Sequence, residues 1–229
     1  MKLAQFLFLV LAGCSMTPVR DARAQVEGGL PIPHPRGPLE FAAGTEQMTL
    51  HELALAFARL TGAELALDPM TQQQLLAGKI VLASVAPVPA DEVYPFVESF
   101  LSCNGYSLCV LKLGARPIVT LVGGPPRPGF NPEPLFVAEE DWPQLEDHPA
   151  LLVRLAVTFR NIDSRQLQTQ LRQLLVDAGG LRQCVPAGER GLIVQGPGRE
   201  TLALVRLLRE MDASSAAPAT PAPAPADAR

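Results

Sequence analysis

The sequence predicts an α+β chain built from two small modules. Three observations predict it. Short runs with apolar residues at every second position alternate with longer runs at helical spacing, which places strands between helices. Proline, at 23 of 229 residues about twice its usual share, falls mostly between those runs. The runs themselves form two groups, 38–123 and 150–213, with a proline-rich stretch between them. That distribution reads as beads on a string rather than one large core. Hydrophobic content of 48% with 18% charged residues is ample for folding. A net charge of −4 gives no general attraction for phosphate backbones or anionic headgroups, so nucleic acid is not an expected partner.

The first 14 residues read as an address. Lys2 precedes an apolar run, Leu3–Ala12, that is too short to span a bilayer as a mature helix. It ends in Leu11-Ala12-Gly13-Cys14, which resembles a bacterial lipobox. That resemblance implies that residues 1–14 are a lipoprotein signal peptide, cut just before a lipidated Cys14 that becomes the new N-terminus, and a membrane held through acyl chains. Ser15 follows where an Asp would resemble an inner-membrane retention signal, so the expected place is the outer membrane, facing the periplasm. Cleavage at Ala22-Arg23-Ala24, giving a soluble periplasmic protein, stands as the alternative.

Residues 15–37 read as a linker, rich in Pro and Gly toward its end. The first module, 38–123, begins with a strand expected at Leu39–Ala43. Thr49 and Glu52 form a capping-box pattern ahead of Leu50, Leu53, Ala54, Phe57 and Leu60, and Gly62 supplies the stop. Residues 63–68 alternate as a strand ended by Asp68-Pro69. A polar loop with Gln72, Gln73 and Gln74 leads to a strand at Lys79–Ala83. Asp91 and Glu92 suit the first turn of a helix whose stripe is Val93, Phe96, Val97, Phe100 and Leu101, with Pro95 in its opening turn. Residues 106–113 and 117–122 complete a hairpin through Gly114-Ala115-Arg116. The order is β-α-β-β-α-β-β.

The stretch 124–149 carries Pro125, Pro126, Pro128, Pro132, Pro134 and Pro143 and reads as a stiff linker without regular structure. The second module, 150–213, has a strand through Leu155, Val157 and Phe159. Asp163 and Gln166 stand at the cap of a helix bearing Leu167, Leu171, Leu174, Leu175 and Ala178, which Gly179-Gly180 stops. A hairpin of 181–186 and 191–195 follows, then a helix through Leu204, Val205, Leu208 and Met211 to Asp212. The order is β-α-β-β-α. Residues 214–229 form an Ala/Pro tail expected to be disordered.

These pieces resemble a known family. Leu53–Leu60 with Thr61-Gly62, Asp68-Pro69, Lys79-Ile80-Val81-Leu82 and Val93 through Asn104-Gly105-Tyr106 resemble, in order, the first periplasmic N-domain of bacterial secretins. The signalling domain of TonB-dependent receptors shares that fold. Phe159-Arg160-Asn161-Ile162-Asp163, Leu171 to Leu175, Gly191-Leu192-Ile193-Val194 and the helix into Met211-Asp212 resemble the second, KH-like N-domain. The resemblance implies a non-enzymatic interaction or scaffold protein working through exposed strand edges and helix faces. Its implied partners are proteins of an envelope secretion or pilus-like assembly, a secretin or a second copy of this chain among them. No pore-forming β-domain follows Asp212, so an accessory rather than a channel is expected. A periplasmic signalling or sensing module is the alternative.

Other motifs carry little chemistry. Gly196-Pro197-Gly198 imitates the start of a dinucleotide fingerprint, but Thr201 stands where its third glycine belongs, and a tight turn explains it. The loops lack the G-x-x-G of KH-type RNA binders. His34, His51 and His148 have no metal-ligand spacing and read as surface or linker residues. No catalytic residue, metal ligand or cofactor is expected. Cys103 and Cys109 leave two readings open, a disulfide stapling the turn or a buried free thiol at Cys103; Cys184 is expected to be buried in the second hairpin.

Overall fold

The computed structural model describes residues 30–41, 47–82, 86–123, 133–174 and 181–215, without the side chains of 172–174. Cys14, residues 42–43 of the expected first strand, residues 124–132 of the linker, residues 175–180 and most of the tail lie outside them. The first module runs β1 (Gln47–Thr49), α1 (Leu50–Thr61), β2 (Glu64–Leu65), α2 (Pro69–Ala77), β3 (Lys79–Val81), α3 (Val93–Cys103), β4 (Tyr106–Lys112) and β5 (Ile118–Gly123). The second runs β6 (Leu135–Phe136), a 3-10 helix (Glu139–Asp147), β7 (Leu152–Thr158), α4 (Ser164–Leu174), β8 (Gln183–Pro186), β9 (Gly191–Pro197) and α5 (Gly198–Ser214).

Helix α1 starts on the expected capping box. The Glu52 N–H donates to Thr49 Oγ1 at 3.1 Å, and the Thr49 N–H donates to the Glu52 carboxylate at 2.7 Å. Gly62, at φ +67°, ends it in the left-handed conformation that a side chain resists, and its N–H bonds back to Ala58 and Arg59. Leu50, Leu53, Ala54 and Phe57 bury one face.

Two expectations for this module fail locally. The strand expected at Leu39–Ala43 is a single antiparallel rung, Leu39 with Val88. Val88 lies between Pro87 and Pro89, which have no N–H to extend a ladder. The polar loop at Gln72–Gln74 is instead the helix α2. Asp68 caps it, accepting from Met70 and Thr71 N–H groups at 3.1 and 3.0 Å, and Pro69 fills its first position. Only Thr71 and Leu75 are buried, so the helix leaves no apolar stripe to read.

The strands form three sheets. β1 and β3 pair antiparallel, with Met48 opposite Ile80. β2, β5 and β4 form the second sheet, β2 parallel to β5 and β4 closing an antiparallel hairpin. The third is ordered β6-β7-β9-β8, with β6 parallel to β7.

The stretch 124–149 is no bare linker over its described part. It contributes β6 to the second sheet and a 3-10 turn that accommodates Pro143. The Trp142 indole N–H donates to the Val137 carbonyl at 3.3 Å, and the Arg209 guanidinium lies over the ring at 4.5 Å. Arg209 and Arg206 also pair with Glu139 and Glu146, at 2.7 and 2.6 Å.

The picture of separate beads fails as well. One continuous buried cluster runs from Leu30 through both modules to Leu208. Residues 30–37, read as part of a linker, form a packed strap. Leu30 N–H reaches Gln144 Oε1 at 3.0 Å, the Tyr94 hydroxyl donates to the Pro33 carbonyl at 2.6 Å, and Arg36 N–H donates to Leu60 at 3.0 Å. The three prolines there fix φ and remove donors, and the Ile32 N–H donates to the Leu30 carbonyl at 2.8 Å.

Asp212, on the last turn of α5, closes the second module. Its carboxylate accepts the N–H groups of Arg160, Asn161 and Ile162 at 2.7–3.0 Å. Asn161 returns a side-chain bond to the Asp212 carbonyl at 2.8 Å. Burial pushes this carboxyl up, but the three backbone donors more than offset that and hold it below the ordinary range. A depressed folded value means stabilisation that is present above the unfolded value of about 3.9 and is lost as pH falls through the folded one. Asp212→Asn should therefore cost about 1–2 kcal/mol at pH 7. In urea denaturation the gap from the wild-type chain should shrink on acidification to pH 3.

Candidate interaction surfaces

The two modules meet on a buried polar joint. Glu98 stands four residues after Tyr94 on α3, within the face formed by Val93, Val97 and Leu101, and has no exposed surface. Its Oε1 lies 2.8 Å from His148 Nδ1, and its Oε2 accepts the N–H groups of Ala150 and Leu151, each at 2.8 Å. The Tyr94 ring meets the His148 ring edge-on, with centroids 5.1 Å apart. Burial, and secondly the Glu98 charge, push the Tyr94 hydroxyl up, so it stays a neutral donor to Pro33. Next to this contact, Leu108 of β4 donates its N–H to the Ala150 carbonyl at 2.8 Å. His148 is thus no surface or linker histidine. It is buried at the joint.

The second module grips the same segment from its other side. Gly198 N–H donates to Leu151 and Arg199 N–H to His148, at 2.8 and 3.2 Å. Gly198 is needed for that approach, because a Cβ there would sit 2.6 Å from the His148 carbonyl oxygen. Gly196-Pro197-Gly198 therefore serves packing. The cleft beside it, bounded by Arg182, Gln195, Glu200 and Thr201, has a volume of 130 Å³, well below the ~300 Å³ at which small-molecule sites begin.

Away from the joint the second module presents two apolar surfaces. On the four-stranded sheet, Leu155, Val157, Leu192 and Val194 face the core under α4 and α5. The other face carries one cross-strand row of Phe136, Arg154, Gln195 and Gln183, and a neighbouring row of Ala156, Ile193 and Val185. Phe136 is 61% exposed and Val185 49%. On α5, Ala203, Leu207 and Met211 recur every fourth residue on an exposed stripe. In the first module, Val81 on β3 is 68% exposed. Among the described residues the outer edges of β3 and β6 have no strand partner. Unpaired edges beside exposed apolar side chains are what strand addition and sheet-face docking use.

The cysteines do not converge on a site. Cys103 is exposed at the end of α3, and Cys109 is buried in β4; both are free thiols here. The Cys109 Sγ lies 3.3 Å from the Glu133 carbonyl oxygen. Burial, and secondly the Glu133 charge, push the Cys109 thiol up to about 12. Burial pushes that of Cys184, half-buried in β8, to about 11. His34 is exposed and His51 half-buried in the first turn of α1. Among the described residues no group of three or more His, Cys, Asp or Glu could hold a metal ion, and no helix is long and apolar enough to cross a membrane.

No family model and no curated protein matches the sequence. Solved structures do. The chain superposes on a chain of the Klebsiella pneumoniae type II secretion outer membrane complex of PulD, PulS and the PulC HR domain, with a TM-score of 0.54 and 18% identity, over 75% of this chain and 26% of that one. In fold, the chain resembles secretin N-terminal domains. It spans about a quarter of that secretion-system chain. Further matches are the GspC–GspD complex of enterotoxigenic Escherichia coli (15% identity, TM-score 0.29, 76% of this chain and 98% of that one) and the Salmonella SPI-1 injectisome base containing InvG N0 and N1 (11%, 0.26, 75% and 96%).

Two measurements check this subsection. Gly198→Ala should destabilise the chain by about 1–3 kcal/mol in chemical denaturation, since backbone must move to admit the methyl group. In native protein an alkylating reagent at pH 8 should modify Cys103 and spare Cys109 and Cys184, which react once denaturant is added.

Proposed function

We propose that this chain is a non-enzymatic, periplasm-facing interaction module of an envelope secretion or pilus-like assembly. The observation that carries the reading is the secretin-type fold combined with unpaired strand edges and an apolar sheet face. The sheet face around Ile193 and Val185 and the α5 stripe around Leu207 are unlike surfaces on one body. Surfaces of that kind support head-to-tail packing, on another N-domain or on a second copy of this chain. The proline-rich connection does not leave the modules as loose beads; in the closed form they are joined at Glu98.

In this reading Cys14 is lipidated and anchors the chain in the outer membrane. Residues 15–29 would then reach about 50 Å at most between the anchor and Leu30. Mass spectrometry of the purified N-terminus decides the point: a diacylated or triacylated Cys14 supports it, and an unmodified peptide starting at Gln25 replaces it with a soluble periplasmic protein.

A photo-crosslinking residue at Val81, Val185 or Leu207, introduced into the envelope of the native host, should give adducts with secretion-assembly proteins or with the chain itself. Val185→Lys should reduce those adducts more than tenfold without altering thermal unfolding. Adducts with an anti-sigma-type protein and no ring former would move the chain to the signalling class. Recovery only as an unlinked monomer would count against any assembly role.

A further inference from the structure

None of the polar contacts at the Glu98 carboxylate lies within its own module. They go to His148 Nδ1 and to the N–H groups of Ala150 and Leu151. The segment that receives it is fixed independently, because α5 holds the carbonyls of His148 and Leu151. The arrangement is a projecting side chain and a prepared catch. From the first module, Tyr94 packs on the ring of His148 beside it; from the second, the Arg199 side chain bonds the Glu146 carbonyl at 2.8 Å and leaves Glu98 to the catch.

We propose that Glu98 is a latch that sets the angle between the two modules, and that its release lets them move apart as intact folds. The physics of the contact favours a latch over a permanent weld. Buried charge-assisted bonds specify orientation strongly, yet add little net stability, since water satisfies every one of these groups once the joint opens. The apolar contacts that also continue across the joint are non-directional and lack that specificity. Closed, the chain presents the β3 edge of one module and the β6 edge of the other at one fixed angle. Open, a partner that holds each module can set its own angle. The latch stands on geometry within this chain and holds whatever partner the surfaces take.

The test uses the full chain and the Glu98→Gln and Glu98→Ala variants. Amide exchange is followed by NMR, and overall dimensions by small-angle X-ray scattering. Glu98→Gln keeps the side chain's size but loses the charge and one acceptor. In both variants Ala150 and Leu151 amides should exchange at least tenfold faster, while Leu192 and Val194 of β9 and Leu53 and Phe57 of α1 keep their protection, and the radius of gyration should rise. Unchanged amide rates and scattering in Glu98→Ala would overturn the proposal. So would uniform loss of protection in both modules, including failure of either variant to fold, because Glu98 would then be a core group of one cooperative unit and not a latch.

Discussion

A carboxylate with no access to water governs how this molecule is put together. Moving a carboxylate out of water costs several kcal/mol unless its oxygens find donors. Glu98 finds a ring nitrogen and two backbone N–H groups, all from the other module. Much else follows from that requirement. Residues 148–151 must run past α3 with the N–H groups of Ala150 and Leu151 turned toward it. Pro149, which has no N–H, sits between the ring that supplies one donor and the two backbone amides that supply the others, so no donor in the run is wasted. Gly198 must lack a side chain so that α5 can close on the same segment.

The 3-10 helix and the strap answer to the same joint from its flanks. Gln144 receives Leu30, Trp142 lies under Arg209, and Glu139 and Glu146 meet arginines of α5. These ion pairs are half-exposed, and each contributes only a few tenths of a kcal/mol to about one. Their role is orientation. They keep the acidic turn seated on a helix whose facing side is basic, and so hold His148 where Glu98 needs it.

Much of this was legible in the sequence because the signals were local. The Thr49–Glu52 capping box, the stop at Gly62, the Leu155-Val157-Phe159 alternation and the Asp163 cap all act within a few residues, and all stand in the structure. Helix α2 was missed because its cap, Asp68-Pro69, reads equally as the end of a strand and no apolar stripe follows it. The resemblance to secretin N-domains was legible for a related reason: its pieces, Phe159–Asp163 and Met211-Asp212, are the two sides of one hydrogen-bonded network. The joint was not legible. Glu98 is an ordinary residue in a helical run and His148 an ordinary residue beside a proline; only the packing of distant segments makes them partners. Exposed surfaces left an equally faint trace, since Val81, Val185 and Leu207 belong to apolar patterns that also describe cores.

The position of Asp212 bears on how the chain can become folded at all. A chain that emerges N-terminus first, from a ribosome or through a membrane pore, brings out Glu98 long before its catch, which lies 50 residues downstream. The turn at Arg160–Ile162 likewise waits for a carboxylate 50 to 52 residues away. The first polar debt is settled only when residues 148–151 have appeared, and the second only near the end of the structured part. The first module must therefore spend its early life with Glu98 turned to water, and the joint closes only when residues 148–151 arrive. The angle between the modules is therefore set late, and a truncation ahead of Asp212 would leave the amides of Arg160–Ile162 without their carboxylate.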